Sequence, residues 1–258
     1  MSAGAQYLAL SKRSLLNTIR QPIAIVPPLV FPLMFLALTS AALERSTELP
    51  GFPQVDSFVQ FVIVTTITQG ILFSSVGAGA GVARDIEDGF FERLIATPVS
   101  RLSLIVGRVS ATALVGFLQA WLFLGIASLF GLRVESGFLG MLSITLCAGI
   151  LAAGIGALTV SFGLRTGSTE AAQGIFPLVF SLLFVSSGFF PRNLMDGWFQ
   201  SAASINPISH YLEGLRAQVI GDFQTGEFLM SLAIAIAIFV FGVTLSILAL
   251  RRRLGEAA

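Results

Sequence analysis

Apolar residues fall in long unbroken runs along this chain, near residues 23–43, 58–82, 102–130, 138–163, 171–190 and 227–250, with the polar residues gathered between them. About 20 helical residues cross a ~30 Å hydrocarbon core, and each run reaches that length. The runs are continuous rather than alternating, which excludes the strand pattern of a membrane barrel, and a spanning helix satisfies its own backbone polar groups. The pattern predicts an all-α polytopic membrane protein with six transmembrane helices. The third run is longer than a crossing needs and predicts tilt or projection beyond the membrane.

Finer periodicity modifies that outline. Ahead of the first run, Leu8, Leu15 and Ile19 fall on one helical face and Gln6, Arg13, Asn17 and Arg20 on the other, so residues 1–22 read as an amphipathic helix lying at a membrane surface. The basic residues before an apolar run resemble a leader, but the run is too long and lacks a clear cleavage pattern, so it is read as an uncleaved first span. Pro27, Pro28 and Pro32 remove helix donors there and predict a kink. The second run carries Thr65, Thr66, Thr68, Gln69, Ser74 and Ser75, then Gly77, Gly79 and Gly81, while the fourth carries Gly149, Ala152, Ala153, Gly154 and Gly156. Small residues allow close helix packing and hydroxyls bond across helices. Thr65, Thr66 and Gln69 are also the candidates for a polar strip along a substrate path.

Composition agrees with the runs: the 258 residues are 55% hydrophobic and 11% charged, with net charge +1, and the mean hydropathy is +0.87. That excludes a soluble globular domain. Lys12 is the sole lysine and no basic patch suits nucleic acid. Cys147, the one cysteine, lies in an apolar run and reads as packing. Loop arginines and lysines set the orientation. With both termini cytosolic, Lys12, Arg13, Arg20, Arg84, Arg93, Arg101, Arg108, Arg165, Arg251, Arg252 and Arg253 fall inside, against Arg45, Arg133, Arg192 and Arg216 outside.

Several chemistries lack their residues. Lys12 is followed by Arg13 with no glycine-rich loop before it, so the chain does not hydrolyse ATP through a phosphate-binding loop and needs no cofactor of its own for that. Charges inside the spans, which ion-coupled carriers use, are almost absent; Arg108 lies near the cytosolic end. His210 is the single histidine, which excludes a two-histidine zinc site or a metalloprotease helix and leaves it a polar contact in a short extracellular helix. No span interior holds the aspartate pair of an intramembrane protease.

Between the second and third runs, Asp85, Glu87, Asp88 and Glu92 alternate with Arg84 and Arg93, while Ile86, Phe90 and Leu94 recur every four residues. Gly89 interrupts this segment and Pro98 closes it, which predicts a helix break near Gly89 and a short amphipathic helix to about Thr97. Such a helix suits docking into a groove on a soluble partner. An interfacial helix resting on lipid is the alternative, and four acids within residues 85–92 count against it on a cytoplasmic leaflet.

The stretch DIEDGFFERLIATPVSR resembles the signature of membrane subunits of type-2 ATP-binding-cassette transporters, matching at Gly89, Glu92 to Leu94 and Ala96 to Arg101. It departs at Phe90, where the family more often has a hydroxyl residue that could cap the short helix. A second stretch, SGFFPRNLMDGWFQSAASINPISHYLEGLR, resembles the same family's region before its last span. The resemblance implies a single transmembrane domain over residues 1–258. It implies a coupling elbow over 85–98, with Asp85, Ile86, Glu87, Asp88, Gly89, Phe90, Glu92, Arg93 and Leu94 meeting a cytosolic ATPase subunit present in two copies. It implies an extracellular re-entrant hairpin over 191–218, broken at Pro191 and Asn206-Pro207, with Trp198 near the interface. A second permease subunit, identical or related, completes the path, and ATP and Mg bind the partner ATPase. The expected function is export of a lipophilic drug, lipid or glycolipid across a bacterial cytoplasmic membrane, in contact with membrane lipids. An ion-coupled carrier or channel without an ATPase, a polysaccharide exporter of the same family and a non-transporting membrane anchor are the competing readings.

Overall fold

The computed structural model describes residues 22–95 and 101–256, and among these every regular element is helical. The amphipathic helix expected over 1–22 lies outside the described residues, apart from its last position, and so do residues 96–100 with Pro98. The helices are α1 (Pro22–Leu43), α2 (Phe58–Glu87), α3 (Phe90–Ile95), α4 (Arg101–Leu129), α5 (Gly137–Thr166), α6 (Thr169–Gln173), α7 (Phe176–Phe184), α8 (Gly197–Ile205), α9 (Pro207–Ile220) and α10 (Thr225–Glu256). Five helices among the described residues, α1, α2, α4, α5 and α10, are long and apolar enough to cross a membrane.

The fifth apolar run behaves differently. It folds as the two short pieces α6 and α7, which together reach only from Thr169 to Phe184. A turn at Gly174 separates them, Pro177 lacks the N–H that would carry a helical ladder across the junction, and the chain leaves helix altogether at residues 185–190.

Helix α5 is the centre, packed on α2, α4 and α10. Its glycines allow backbones to touch. A Cβ at Gly163 would lie 2.4 Å from the Gly79 carbonyl oxygen of α2, one at Gly79 would lie 2.3 Å from the Thr159 oxygen, and one at Gly242 of α10 would lie 2.5 Å from the Gly154 oxygen. No larger residue fits without moving a helix. The close approach also brings hydroxyls within reach of neighbouring backbones: Thr159 Oγ1 donates to Ser75 O at 2.9 Å, Ser75 Oγ to Ala152 O at 3.3 Å and Ser246 Oγ to Ala157 O at 2.6 Å. Each such bond in a membrane contributes about 0.5–1 kcal/mol. Cys147 is fully buried among these helices as a packing residue.

The prolines of α1 have a specific partner. Pro32 cannot donate to the carbonyl four residues earlier, and Gln119 Nε2 of α4 donates to that carbonyl, Pro28 O, at 2.9 Å. The proline-rich helix is thereby tied to α4 by the acceptor that its own ladder leaves open.

Candidate functional site

Helix α2 joins two clusters of polar contacts, one at each of its ends. At the end nearest α3 it stops at Glu87, Gly89 takes φ +64°, and the chain turns into α3. Positive φ suits glycine because no Cβ meets the backbone. Helix α3 begins directly at Phe90, which has no hydroxyl to cap it.

Three of the four elbow acids turn back into the protein. Asp85 accepts from Arg108 Nη2 of α4 in a partly buried ion pair. Glu87 receives the Thr169 N–H on one oxygen and the Thr169 hydroxyl on the other, both at 2.7 Å, and so holds the start of α6. Glu92 lies 3.8 Å from Arg253 of α10, whose Nη1 also donates to Leu164 O of α5 at 3.1 Å. The buried residue of α3 is Phe91, which packs with Val82, Ile105, Leu164 and Leu250, and Ile86 and Ile95 lie against the same cluster. The expected stripe of Ile86, Phe90 and Leu94 is therefore divided: Ile86 faces the bundle, while Phe90 and Leu94 are half-buried beside the exposed Asp88 and Arg93. Gly89 and Phe90 form the corner.

At the other end the contacts are buried. Arg216 of α9 is 4% exposed; its Nε donates to Phe61 O of α2 at 2.9 Å, its Nη2 donates to Ser187 O and Gly188 O at 2.9 and 3.1 Å, and its guanidinium lies 3.7 Å from the Phe61 ring centre. Thr65 Oγ1 donates to the same Gly188 oxygen at 2.8 Å. Ser187 N–H donates to Ser209 Oγ at 3.1 Å. Loop counting had placed Arg216 among the solvated outer arginines. Its spacing from Leu212, Leu215 and Val219, all buried on one face of α9, was the signal that it points inward.

Helices α8 and α9, in the region expected to form the hairpin, are separated by a break at Asn206. Its side-chain oxygen accepts from Ile208 N–H at 2.9 Å, capping α9 ahead of Pro207, and its amide nitrogen donates to Leu182 O and Val185 O at 2.6 and 2.8 Å, which ties the hairpin to the end of α7. His210 Nε2 donates to Ser204 O across the break at 2.9 Å. Pro191 is buried where the chain enters the short turn before α8, and Trp198 projects from α8 at 75% exposure.

The three residues considered for a polar strip are all internal: Thr65, Thr66 and Gln69 are no more than 2% exposed. Thr66 Oγ1 donates to Val62 O at 3.2 Å within its own helix. The abundance of phenylalanine, 23 residues, suits lipophilic cargo, lipid contact or core packing alike, and did not show how the rings are arranged. Phe31 and Phe35 of α1, Phe189, Phe184 and Phe180 of the α7 region and Phe73 of α2 form a closed circuit of ring contacts, with successive centroids 5.1 to 6.2 Å apart. Phe176 stacks onto the circuit against Phe73 and Phe180.

Residues 5–220 match the family model described as ABC-2 type transporter. A chain named as a daunorubicin resistance ABC transporter permease in Streptomyces coeruleorubidus is 29% identical over 72% of this chain and 63% of its own length, so this chain spans a little under two thirds of that relative. One named for doxorubicin resistance as an ABC transporter permease in Mycobacterium tuberculosis is 24% identical over 84% of this chain and 78% of its own. A chain named as a transport permease in Porphyra purpurea is 27% identical over 81% and 72%. With a family model covering most of its length, this chain belongs to the ABC-2 type transporter family.

Proposed function

We propose that the chain is the permease subunit of an ATP-driven exporter, with residues 85–98 as the elbow that meets a cytosolic ATPase subunit. The observation that carries this reading is the division of the elbow into two faces. The exposed Asp88 and Arg93, with the half-buried Phe90 and Leu94 beside them, present mixed charge edged by apolar surface, suited to a protein groove. Asp85, Glu87 and Glu92 form an inward side joined to α4, α6 and α10. Displacement of the outward side by a partner would be carried to three different helices. ATP and Mg act on that partner, present in two copies, and a second permease subunit of the same or a related kind closes the path. Both termini and the elbow are cytosolic in a bacterial membrane. The α6–α7 segment supplies the sixth crossing together with a hairpin over 191–218 that dips into the outer leaflet, with Trp198 at the interface.

The cargo we infer is lipophilic and aromatic. Relatives named for daunorubicin and doxorubicin resistance support that class, and the circuit of phenylalanines between α1, α2 and α7 offers ring faces to a planar molecule. Since α7 is linked through α6 to Glu87, the elbow and the aromatic surface share a mechanical connection.

The test is co-expression with the ATPase subunit and reconstitution in proteoliposomes. The combined variant Asp88→Lys, Phe90→Ser, Leu94→Ser is expected to reduce ATPase association about tenfold or more, as removal of a central apolar contact does at protein interfaces. Normal association, or transport by the permease alone under a proton or sodium gradient, would overturn the reading.

A further inference from the structure

Among the groups that donate to carbonyls at the end of α7, where Thr65 also serves Gly188, two differ in charge. Asn206, a neutral amide, serves Leu182 and Val185. Arg216, a cation, serves Ser187 and Gly188 in the non-helical turn 185–190. A neutral donor would suffice for the second pair as it does for the first. A buried guanidinium is costly, and the described bonding partners of Arg216 are three carbonyl oxygens and a ring, none of them a carboxylate. The carboxylate nearest in sequence on α9, Glu213, is one turn earlier, partly exposed and paired with Arg192. Both Arg216 and Glu213 border an open cavity of about 460 Å³, together with Pro53, Pro191, Arg192 and Gln224.

We propose that Arg216 is a positioning residue that pins the turn 185–190 against α2 and forms the closing contact of the cargo path at the hairpin end. Helix α9 is fixed to α10, where a Cβ at Gly214 would lie 2.5 Å from the Glu227 carbonyl oxygen and Ser231 Oγ donates to Tyr211 O at 3.0 Å. Arg216 therefore stands on the side fixed to α10, and movement of the turn with α7 away from α9 also parts Ser187 from Ser209, Leu182 and Val185 from Asn206, and Gly188 from Thr65. On release, Nη2 gives up two carbonyls, and the charge turns to water in the cavity and to Glu213, three residues away on the same helix, which it then shares with Arg192. A neutral amide would have no such second partner. The charge thus makes the closed contact strong and the open state accessible.

This rests on the exporter reading for its cargo, and the test separates the two. In a Cys147→Ala background, Ser187→Cys is placed in the permease–ATPase complex in lipid nanodiscs, where both faces are open to a hydrophilic maleimide. Without nucleotide, labelling is expected to be about tenfold or more faster with Arg216→Met than with Arg216, the effect of losing a charged hydrogen bond. Trapping with ATP and vanadate is expected to raise labelling of the Arg216 protein toward the variant's rate. Equal rates for Arg216 and Arg216→Met overturn the pin; faster labelling of the variant with no response to trapping overturns its gating role. If Arg216→Met fails to accumulate, Arg216→Lys and Thr65→Val take its place, and unchanged labelling in both is equally decisive against the proposal. Should no ATPase subunit bind, the exporter reading fails while the nucleotide-free comparison on the permease still decides the pin.

Discussion

The two ends of α2 use polar contacts in opposite ways. At the elbow, Asp85, Glu87 and Glu92 bond to partners that are partly or largely exposed. At the hairpin, Arg216, Thr65, Ser187 and Asn206 bond to backbone carbonyls or hydroxyls in dry surroundings. Exposed pairs contribute about 0–1 kcal/mol because water replaces either partner. A buried donor that leaves its acceptor unpaired costs about 1–3 kcal/mol. The elbow can thus exchange partners gradually, whereas the hairpin end holds or lets go.

Substitutions can break this contrast. Asn206→Ala should have the largest effect, about 2–3 kcal/mol of stability, since it removes a helix cap and leaves Leu182 and Val185 carbonyls without their donor; thermal unfolding in detergent measures it. A loss under about 0.5 kcal/mol would place the hairpin in the same class as an exposed surface contact. Asp85→Asn should cost about 1 kcal/mol by the same assay, and a double-mutant cycle with Arg108→Gln should return most of that as coupling between α2 and α4. Glu92→Gln should change stability by less than about 0.5 kcal/mol, its partner being 3.8 Å away and the carboxylate largely exposed. In the reconstituted complex it should nevertheless lower cargo moved per ATP consumed. An unchanged ratio would mean that α10 receives nothing through this contact.

Much of this was legible in the sequence. Apolar run length is a strong signal because hydrocarbon thickness sets it, and the runs around 23–43, 58–82, 102–130, 138–163 and 227–250 each contain a long helix. The break at Gly89 was legible because glycine and the approaching proline act locally. The division of the run over 171–190 into two short helices was not legible in its length, because hydropathy does not register that Gly174, Pro177 and Gly188 punctuate it. Arg216 was hidden for a related reason: counting arginines by loop ignores helical faces, and its place on the apolar face with Leu212, Leu215 and Val219 was the signal that such a count passes over. The faces of α3 were beyond reach, since six residues make less than two turns and both Phe90 with Leu94 and Phe91 with Ile95 satisfy a helical period. Only the neighbouring Val82 and Leu250 decide that Phe91 is the one buried.

The glycine contacts of α5 carry a mechanical consequence. Where backbone meets backbone, as at Gly79 with Gly163 and Gly154 with Gly242, no side chain remains to rotate and absorb a displacement. Helices α2, α5 and α10 are thereby built as a stator. Helix α1, packed on α2 through side chains such as Phe31 on Phe73 and tied to α4 by one glutamine, and the α6–α7 segment, held by Glu87 at one end and by Asn206 and Arg216 at the other, rest on side-chain contacts, which can yield where the backbone seams cannot.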